Sequence, residues 1–322
     1  MPDRPFTRGL HELGNGCYAW LQPDGGWGWS NAGLVADSGE SLLVDTLFDL
    51  RLTREMLEAM RASVPAARRI ATLVNTHANG DHCYGNQLLA GARIVASRAS
   101  AAEMDELPPE AMARVIDNAA ALGPGGRFLA EVFAPFDFHG IRHTPPSETF
   151  DGELHLRVGT KELVLLEVGP AHTKGDVIAW LPRARVVFTG DILFIGGTPI
   201  LWAGPIANWI AACERIAALG AETIVPGHGP LTDAKGALGV RDYLVHVRDR
   251  ARQCYDAGLA PADAARQIDL GPFAGLGDAE RIAVNVHTLY REWSGGARGA
   301  ANAVELFGLM SELAHGRARR GS

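Results

Sequence analysis

Two histidines and an aspartate fall within six residues in Asn75-Thr76-His77-Ala78-Asn79-Gly80-Asp81-His82, directly after the apolar run 70–74. Neutral imidazole and carboxylate are the usual protein ligands of zinc and non-haem iron, so a tight loop leaving a strand can turn several of them onto one cation. Three more such residues stand in matching contexts: His172 in Gly169-Pro170-Ala171-His172-Thr173, Asp191 in Phe188-Thr189-Gly190-Asp191, and His228 in Val225-Pro226-Gly227-His228-Gly229. Each follows a segment that reads as a strand. Such a set is suited to holding a metal ion, zinc or non-haem iron.

The elements that must position these residues alternate. Apolar runs at 42–44, 70–74 and 94–96 read as strands, and Leu52, Met56 and Met60 repeat at helical spacing between the first two. A helix is expected from near Asp81 or Tyr84 through Leu88 and Leu89, ending at Gly91. Residues 97–122 read as helix interrupted at Pro108-Pro109, and Gly123-Pro124-Gly125-Gly126 reads as a loop. Strands at 154–158, 163–168, 177–181 and 186–188 form a second sheet segment, followed by a helix over about 205–219, a strand at 223–225 and the turn Pro226–Pro230. Beyond Leu231 the chain turns helical, with Ile282, Val286, Leu289 and Trp293 on one face. No repeat of 20 to 50 residues occurs, which removes solenoids and propellers.

With 322 residues, 47% of them hydrophobic, the chain can fill a large core unaided. Its formal net charge of -7 argues against nucleic-acid or anionic-membrane partners, which require clustered positive charge, and leaves a small-molecule substrate. The basic residues Arg317, Arg319 and Arg320, beside Gly316 and Gly321, read as a solvated tail. Residues 1–10, with Asp3, Arg4 and Arg8, hold no apolar run of signal-peptide length, and no later stretch reaches membrane-spanning length, so a cytoplasmic protein is expected. Cys17, Cys83, Cys213 and Cys254 form no CxxC pair and read as reduced thiols; Cys213 shares an apolar helical face with Ile206, Ile210 and Ala217. Nucleotide and serine-hydrolase readings are weak. There is no GxGxxG or GxxxxGK, and Gly28-Trp29-Ser30-Asn31-Ala32 lacks the final glycine of a nucleophile elbow.

The ordered set of a His-x-x-x-Asp-His loop, a lone His, a Thr-Gly-Asp and a Gly-His resembles the metallo-β-lactamase superfamily, over roughly residues 15–232. The resemblance implies an α/β fold, a four-layer αββα sandwich spanning 1–235 with a helical insertion at about 98–125, followed by a helical C-terminal extension at 236–322. It also implies a first metal site with His77 and His172, a second with Asp81, His82 and His228, and Asp191 bridging. Asn79 stands where that family's loop carries a second His, and an amide oxygen is the weaker ligand, so one or two zinc ions are expected, with iron or manganese as alternatives. The activity implied is hydrolysis of an ester, lactone, thioester or related acyl substrate, with Asp81 as ligand and water-orienting base. Two other readings stay open: a mononuclear non-haem iron oxygenase resembling the persulfide dioxygenases, built on His77, His172 and Asp191, and a metal-binding protein without turnover. A homodimer is left open.

Several aromatic and polar residues have two readings at this stage. Trp27 and Trp29, among Gly25, Gly26 and Gly28, either cover a substrate or pack on the chain's own helices. Trp202 and Phe194 line the pocket or fill the core. Tyr84 and Lys174, beside ligand residues, read as structural or exposed rather than as oxyanion donors. His11, His139, His143, His155, His246, His287 and His315 lie outside the motifs; His139 and His143, four apart among Phe136, Phe138 and Pro145, are the exception to compare with the structure.

Overall fold

Alternation of apolar residues along the strands sets the two faces of each sheet. The computed structural model describes residues 5–89, 91–297 and 302–318. Asp3 and Arg4, the side chain of Arg317, and Arg319, Arg320 and Gly321 lie outside them. One sheet runs in chain order through β1 (Gly9–Gly14), β2 (Cys17–Leu21), β3 (Ala32–Asp37), β4 (Glu40–Val44), β5 (Thr72–Val74), β6 (Arg93–Ser97) and β7 (Glu148–Phe150). Its first four strands pair antiparallel and β4 to β7 pair parallel. The other holds β8 (Glu153–Val158), β9 (Lys161–Glu167), β10 (Val177–Leu181), β11 (Val186–Phe188) and β12 (Thr223–Val225), in the order β12-β11-β10-β9-β8.

Val35, Leu42, Val44 and Val74 of the first sheet meet Leu163, Leu165, Val177 and Phe188 of the second in one buried cluster. Gly33 lets the sheets close, because a Cβ there would run into the Phe188 ring. The alternate residues Leu34, Leu43 and Leu73 point outward and join Leu52, Met56 and Met60 of α1 (Leu50–Ser63), which Asp49 caps by accepting from the Leu52 amide at 2.6 Å. These layers are the α/β sandwich expected from the resemblance, with further helices after it.

Two local expectations need correction. Residues 81–89 do not form one helix but a single turn, α2 (Gly80–Cys83), and a separate 3-10 turn at Asn86–Leu89. Gly85 fits against Thr53 and Thr46 where a Cβ would collide, and Asn86 turns inward to bond Asn75 and Thr46, which a continuous amphipathic helix would not permit. The second correction concerns the insertion. It comprises α3 (Arg98–Met104), α4 (Pro109–Asp117) and α5 (Gly123–Val132), so Gly123–Gly126 opens a helix rather than forming a loop. Pro124 suits the first helical turn, while Gly125 and Gly126 allow close packing: a Cβ on Gly125 would meet the Val304 carbonyl and one on Gly126 the Ala119 carbonyl.

The remaining helices are α6 (Ile206–Ala218), α7 (Ala234–Asp256), α8 (Pro261–Gln267), α9 (Ile282–Trp293) and α10 (Ala303–Ala318), the last bearing the Val304 carbonyl against which α5 closes. No helix among the described residues is long and apolar enough to cross a membrane. All four cysteines are free, and burial pushes the thiols of Cys83 and Cys213 far up and that of Cys17 up to about 11.

Candidate metal centre

The parallel strands β4 and β5 end at the same edge as β11 and β12, and the functional side chains sit in the segments that leave that edge. His77 follows β5 directly, and the single turn of α2 delivers Asp81 and His82 side by side. His172 lies in the connection from β9 to β10, Asp191 just after β11, and His228 just after β12. Gly227 is required by this arrangement, since a Cβ there would strike Asp191 Oδ1.

Four imidazoles converge on Asp191. Its Oδ2 lies 3.7 Å from His77 Nε2, 3.4 Å from His172 Nε2 and 3.4 Å from His228 Nε2, while Oδ1 lies 3.0 Å from His82 Nε2. Asp81 Oδ2 is 3.1 Å from His228 Nε2 and 3.8 Å from His82 Nε2. Two triads, His77 with His82 and Asp191, and Asp81 with His82 and His228, each bring their donor atoms within 4.8 Å of one another. The sequence-predicted His77, Asp81, His82, His172, Asp191 and His228 thus share one buried cluster.

Every one of the four rings has its far nitrogen taken. His77 Nδ1 lies 3.0 Å from Thr76 Oγ1, His82 Nδ1 2.9 Å from Asp45 Oδ2, His172 Nδ1 2.6 Å from the Ile200 carbonyl, and His228 Nδ1 3.1 Å from the Gly25 carbonyl. Thr76 Oγ1 donates to Asp45 Oδ2 at 2.7 Å, which leaves its lone pair free to accept from His77. With Nδ1–H donating in each case, every ring turns Nε2 inward; against the pull of burial, Asp191 and Asp81 raise the imidazoles of His82 and His228, so those two Nε2 atoms carry protons that a cation would displace.

The inner atoms are short of partners. His77 Nε2, His82 Nε2 and Asp191 Oδ1 are buried and make no hydrogen bond, although His82 Nε2 and Asp191 Oδ1 are close. Buried polar atoms are normally paired, so three orphans facing one point need a partner the chain does not supply. Asp45, Asp81 and Asp191 are all buried, and among the described residues no lysine or arginine pairs with them. The donor set, imidazole nitrogen and carboxylate oxygen, matches a divalent metal ion of the zinc or iron type.

Charge is redistributed accordingly. Burial alone would raise the Asp81 and Asp191 carboxyls, but the imidazoles of His82 and His228 outweigh it and hold both below the usual range. Burial, and then the charge of His82, drive His77 well below the ordinary imidazole value, favouring a neutral ring.

Asn79 is half-buried at the same rim, with Nδ2 3.3 Å from His172 Nε2. Because His172 Nδ1 already donates to Ile200, the amide of Asn79 donates to the Nε2 lone pair and, in this arrangement, offers no oxygen to the centre. Tyr84 is buried and donates to the Leu107 carbonyl at 3.0 Å, and Lys174 pairs with Glu106 on the surface, so neither faces the cluster. His139 pairs with Asp117 and Asp137, and His143 with Asp105, away from it.

The aromatic loop packs on the chain itself: Trp27 lies against Phe133, just past α5, and Phe307 of α10, and Trp29 against Phe136 in the loop that follows. Phe194 stacks on His228 at 5.0 Å with 3° between the planes, and its centroid lies 5.4 Å from the Arg281 guanidinium, which sits 4.3 Å from that of Trp27. The sequence gives no signal for Asp45 or for Asn31, whose Nδ2 donates to the Pro226 and Gly229 carbonyls and braces the His228 turn.

A family model described as "Metallo-beta-lactamase superfamily" matches residues 25–228. Curated relatives include a "Beta-lactamase-like protein 2 homolog" of Caenorhabditis elegans, 32% identical over 84 residues (26% of this chain, 28% of that protein). Another is a "Hydroxyacylglutathione hydrolase" of Brucella ovis, 31% identical over 111 residues (32% of this chain, 43% of that protein). The chain therefore spans less than half the length of these relatives. Among solved structures, a metallo-beta-lactamase family protein from Thermus thermophilus aligns with TM-score 0.64 at 21% identity, covering 88% of this chain and 95% of that one. The stereoselective inverting sec-alkylsulfatase Pisa1 from Pseudomonas sp. aligns with TM-score 0.65 at 16% identity, covering 91% of this chain and 51% of that one. At these identities the structural likenesses speak for the fold.

Proposed function

Because the chain belongs to the metallo-beta-lactamase superfamily, we propose that it is a metal-dependent hydrolase of a small ester, lactone, thioester or related acyl compound, with zinc as the resident ion. The observation that carries this reading is the cluster of four imidazoles whose Nδ1 atoms are all engaged and whose Nε2 atoms all turn toward Asp191. The hydroxyacylglutathione hydrolase among the relatives supports an acyl substrate.

His77, His172 and Asp191 would hold one ion, and Asp81, His82 and His228 a second shared with Asp191. Such an ion supplies Lewis acidity and a water activated near neutral pH. Asp81, kept ionised against burial by His82 and His228 and 8% exposed, would orient that water and take its proton. The arrangement of His77, His172 and Asp191 alone would also serve an iron oxygenase. Hydrolysis ranks first because Asp81, His82 and His228 converge just as closely. The four free thiols and the net charge of -7 support a cytoplasmic enzyme of small molecules.

The test is elemental analysis of protein purified without added metal, followed by turnover of p-nitrophenyl esters, lactones and thioesters before and after chelation. Zinc bound in about stoichiometric amounts and chelator-sensitive turnover are expected. Turnover that survives complete metal removal would sink the reading, and a single iron with oxygen uptake on thiol or persulfide substrates would replace it with the oxygenase.

A further inference from the structure

His172 is oriented by a segment that the C-terminal helices hold. Its Nδ1–H donates to the Ile200 carbonyl at 2.6 Å, and its own carbonyl accepts from the Trp202 and Ala203 amides at 3.0 and 3.1 Å. The segment 198–203 belongs to no strand or helix, so the position of the Ile200 carbonyl depends on what brackets it. The bracket is Asn285 of α9, 2% exposed: its Oδ1 accepts from the Leu201 amide at 2.7 Å and its Nδ2 donates to the Pro199 carbonyl at 2.9 Å. One carboxamide thus grips the residues on both sides of Ile200. Its second N–H reaches Tyr243 Oη at 3.2 Å, so both donors and the acceptor are used. Arg281 adds a bond to the Thr198 carbonyl at 2.9 Å, and Arg291 longer ones to the Trp202 and Ala203 carbonyls.

We infer that Asn285 is a positioning residue for the metal centre, acting through Ile200 to fix the tautomer and direction of His172. The inference rests on the metal-centre reading given above. An imidazole free to swing or to move its proton onto Nε2 loses the lone pair a cation needs, and Asn79 already stands ready to compete for that lone pair from the rim. A ring whose Nδ1 acceptor is locked in place holds Nε2 available. Asparagine is the side chain that suits the bracket: leucine would meet neither backbone group, and aspartate would turn an anion toward the Pro199 carbonyl.

The experiment is a double-mutant cycle on the full chain, with zinc affinity read by competition against a chromophoric chelator, independent of turnover. Asn285→Ala is expected to weaken one zinc-binding phase about tenfold, the low end of the effect of a residue supporting a ligand. In the His172→Ala background, where that phase is already lost, the same change is expected to leave the remaining zinc affinity unaltered. Val286→Ala, a buried apolar truncation on the same helix, is expected to lower the melting temperature without shifting either phase. Undiminished zinc affinity in Asn285→Ala, an equal loss in both backgrounds, or a comparable loss in Val286→Ala would each overturn the inference. A wild-type chain that takes up no zinc, iron or manganese would overturn it together with the metal-centre reading. A chain that binds zinc but hydrolyses no acyl compound would refute only the reaction, and the cycle would still decide the role of Asn285.

Discussion

Replacing Asp45 by asparagine separates holding the metal from holding the fold. Asp45 Oδ1 accepts from the Thr76 amide at 2.7 Å, and Oδ2 accepts from Thr76 Oγ1 at 2.7 Å and lies 2.9 Å from His82 Nδ1. Its carboxyl is buried, and burial raises its pKa against the pull of His82, so the charge is costly unless something positive lies beyond that ring. An asparagine in its place keeps the shape and one acceptor but carries no charge and turns an N–H toward one of the former donors. Loss of such support for a ligand imidazole typically lowers metal affinity about 10–100-fold, or about 1.4–2.8 kcal/mol at roughly 1.4 kcal/mol per decade. Because ion binding adds to the stability of the folded chain, that deficit should appear as a fall in the melting temperature of the metal-loaded protein that exceeds the fall in the stripped protein. Calorimetric melting of both forms, with chelator competition for the affinity, measures it. Equal zinc affinity in Asp45→Asn and wild type would refute the argument that the carboxylate acts through His82.

Asn79→His is expected to raise bound zinc toward two per chain by elemental analysis, since it exchanges a donor onto His172 for an imidazole nitrogen; unchanged metal content would mean that Asn79 does not limit the site. Gly125→Ala drives a methyl into the Val304 carbonyl and should destabilise the packing of α5 on α10 by about 1–3 kcal/mol in chemical unfolding; an unchanged midpoint would refute the packing role given to this glycine. Hydrogen bonds from the Thr160 amide and hydroxyl hold the Asp37 carboxyl down at about 2. A depressed folded-state value contributes stability that is complete above the ordinary carboxylate pKa of about 3.9 and fades as pH falls through about 2. The fall in melting temperature between about pH 4 and 2 should therefore be shallower in Asp37→Asn, and parallel curves would refute the assignment.

Much of the centre was legible because its residues announce themselves locally. His77, Asp81 and His82 share one loop, and His172, Asp191 and His228 each follow a strand in a glycine-bearing turn. Asp45 was not legible as a partner of His82, because a lone aspartate after an apolar run carries no pattern until β4 and β5 pair and bring it to Thr76. Asn285 was beyond reach for the same reason on a longer scale, 84 residues from the loop residue it binds. Gly123–Gly126 misled because glycine serves both chain reversal and close helix contact, and only the presence of α10 tells which. The broken helix after Asp81 has a similar cause, since Gly85 and Asn86 answer to tertiary neighbours rather than to helical periodicity.

The four acceptors that pin the imidazoles come from scattered stretches: Gly25 near the start, Asp45 and Thr76 in the first half, and Ile200 in the second. On a ribosome these stretches emerge in order, and the segment around Ile200 leaves the exit tunnel long before α9 arrives to grip it. A nascent chain with all six candidate ligands already synthesised therefore still lacks the last brace of its centre. The order of assembly follows from that geometry: the arrangement described here is complete only once α9 has docked.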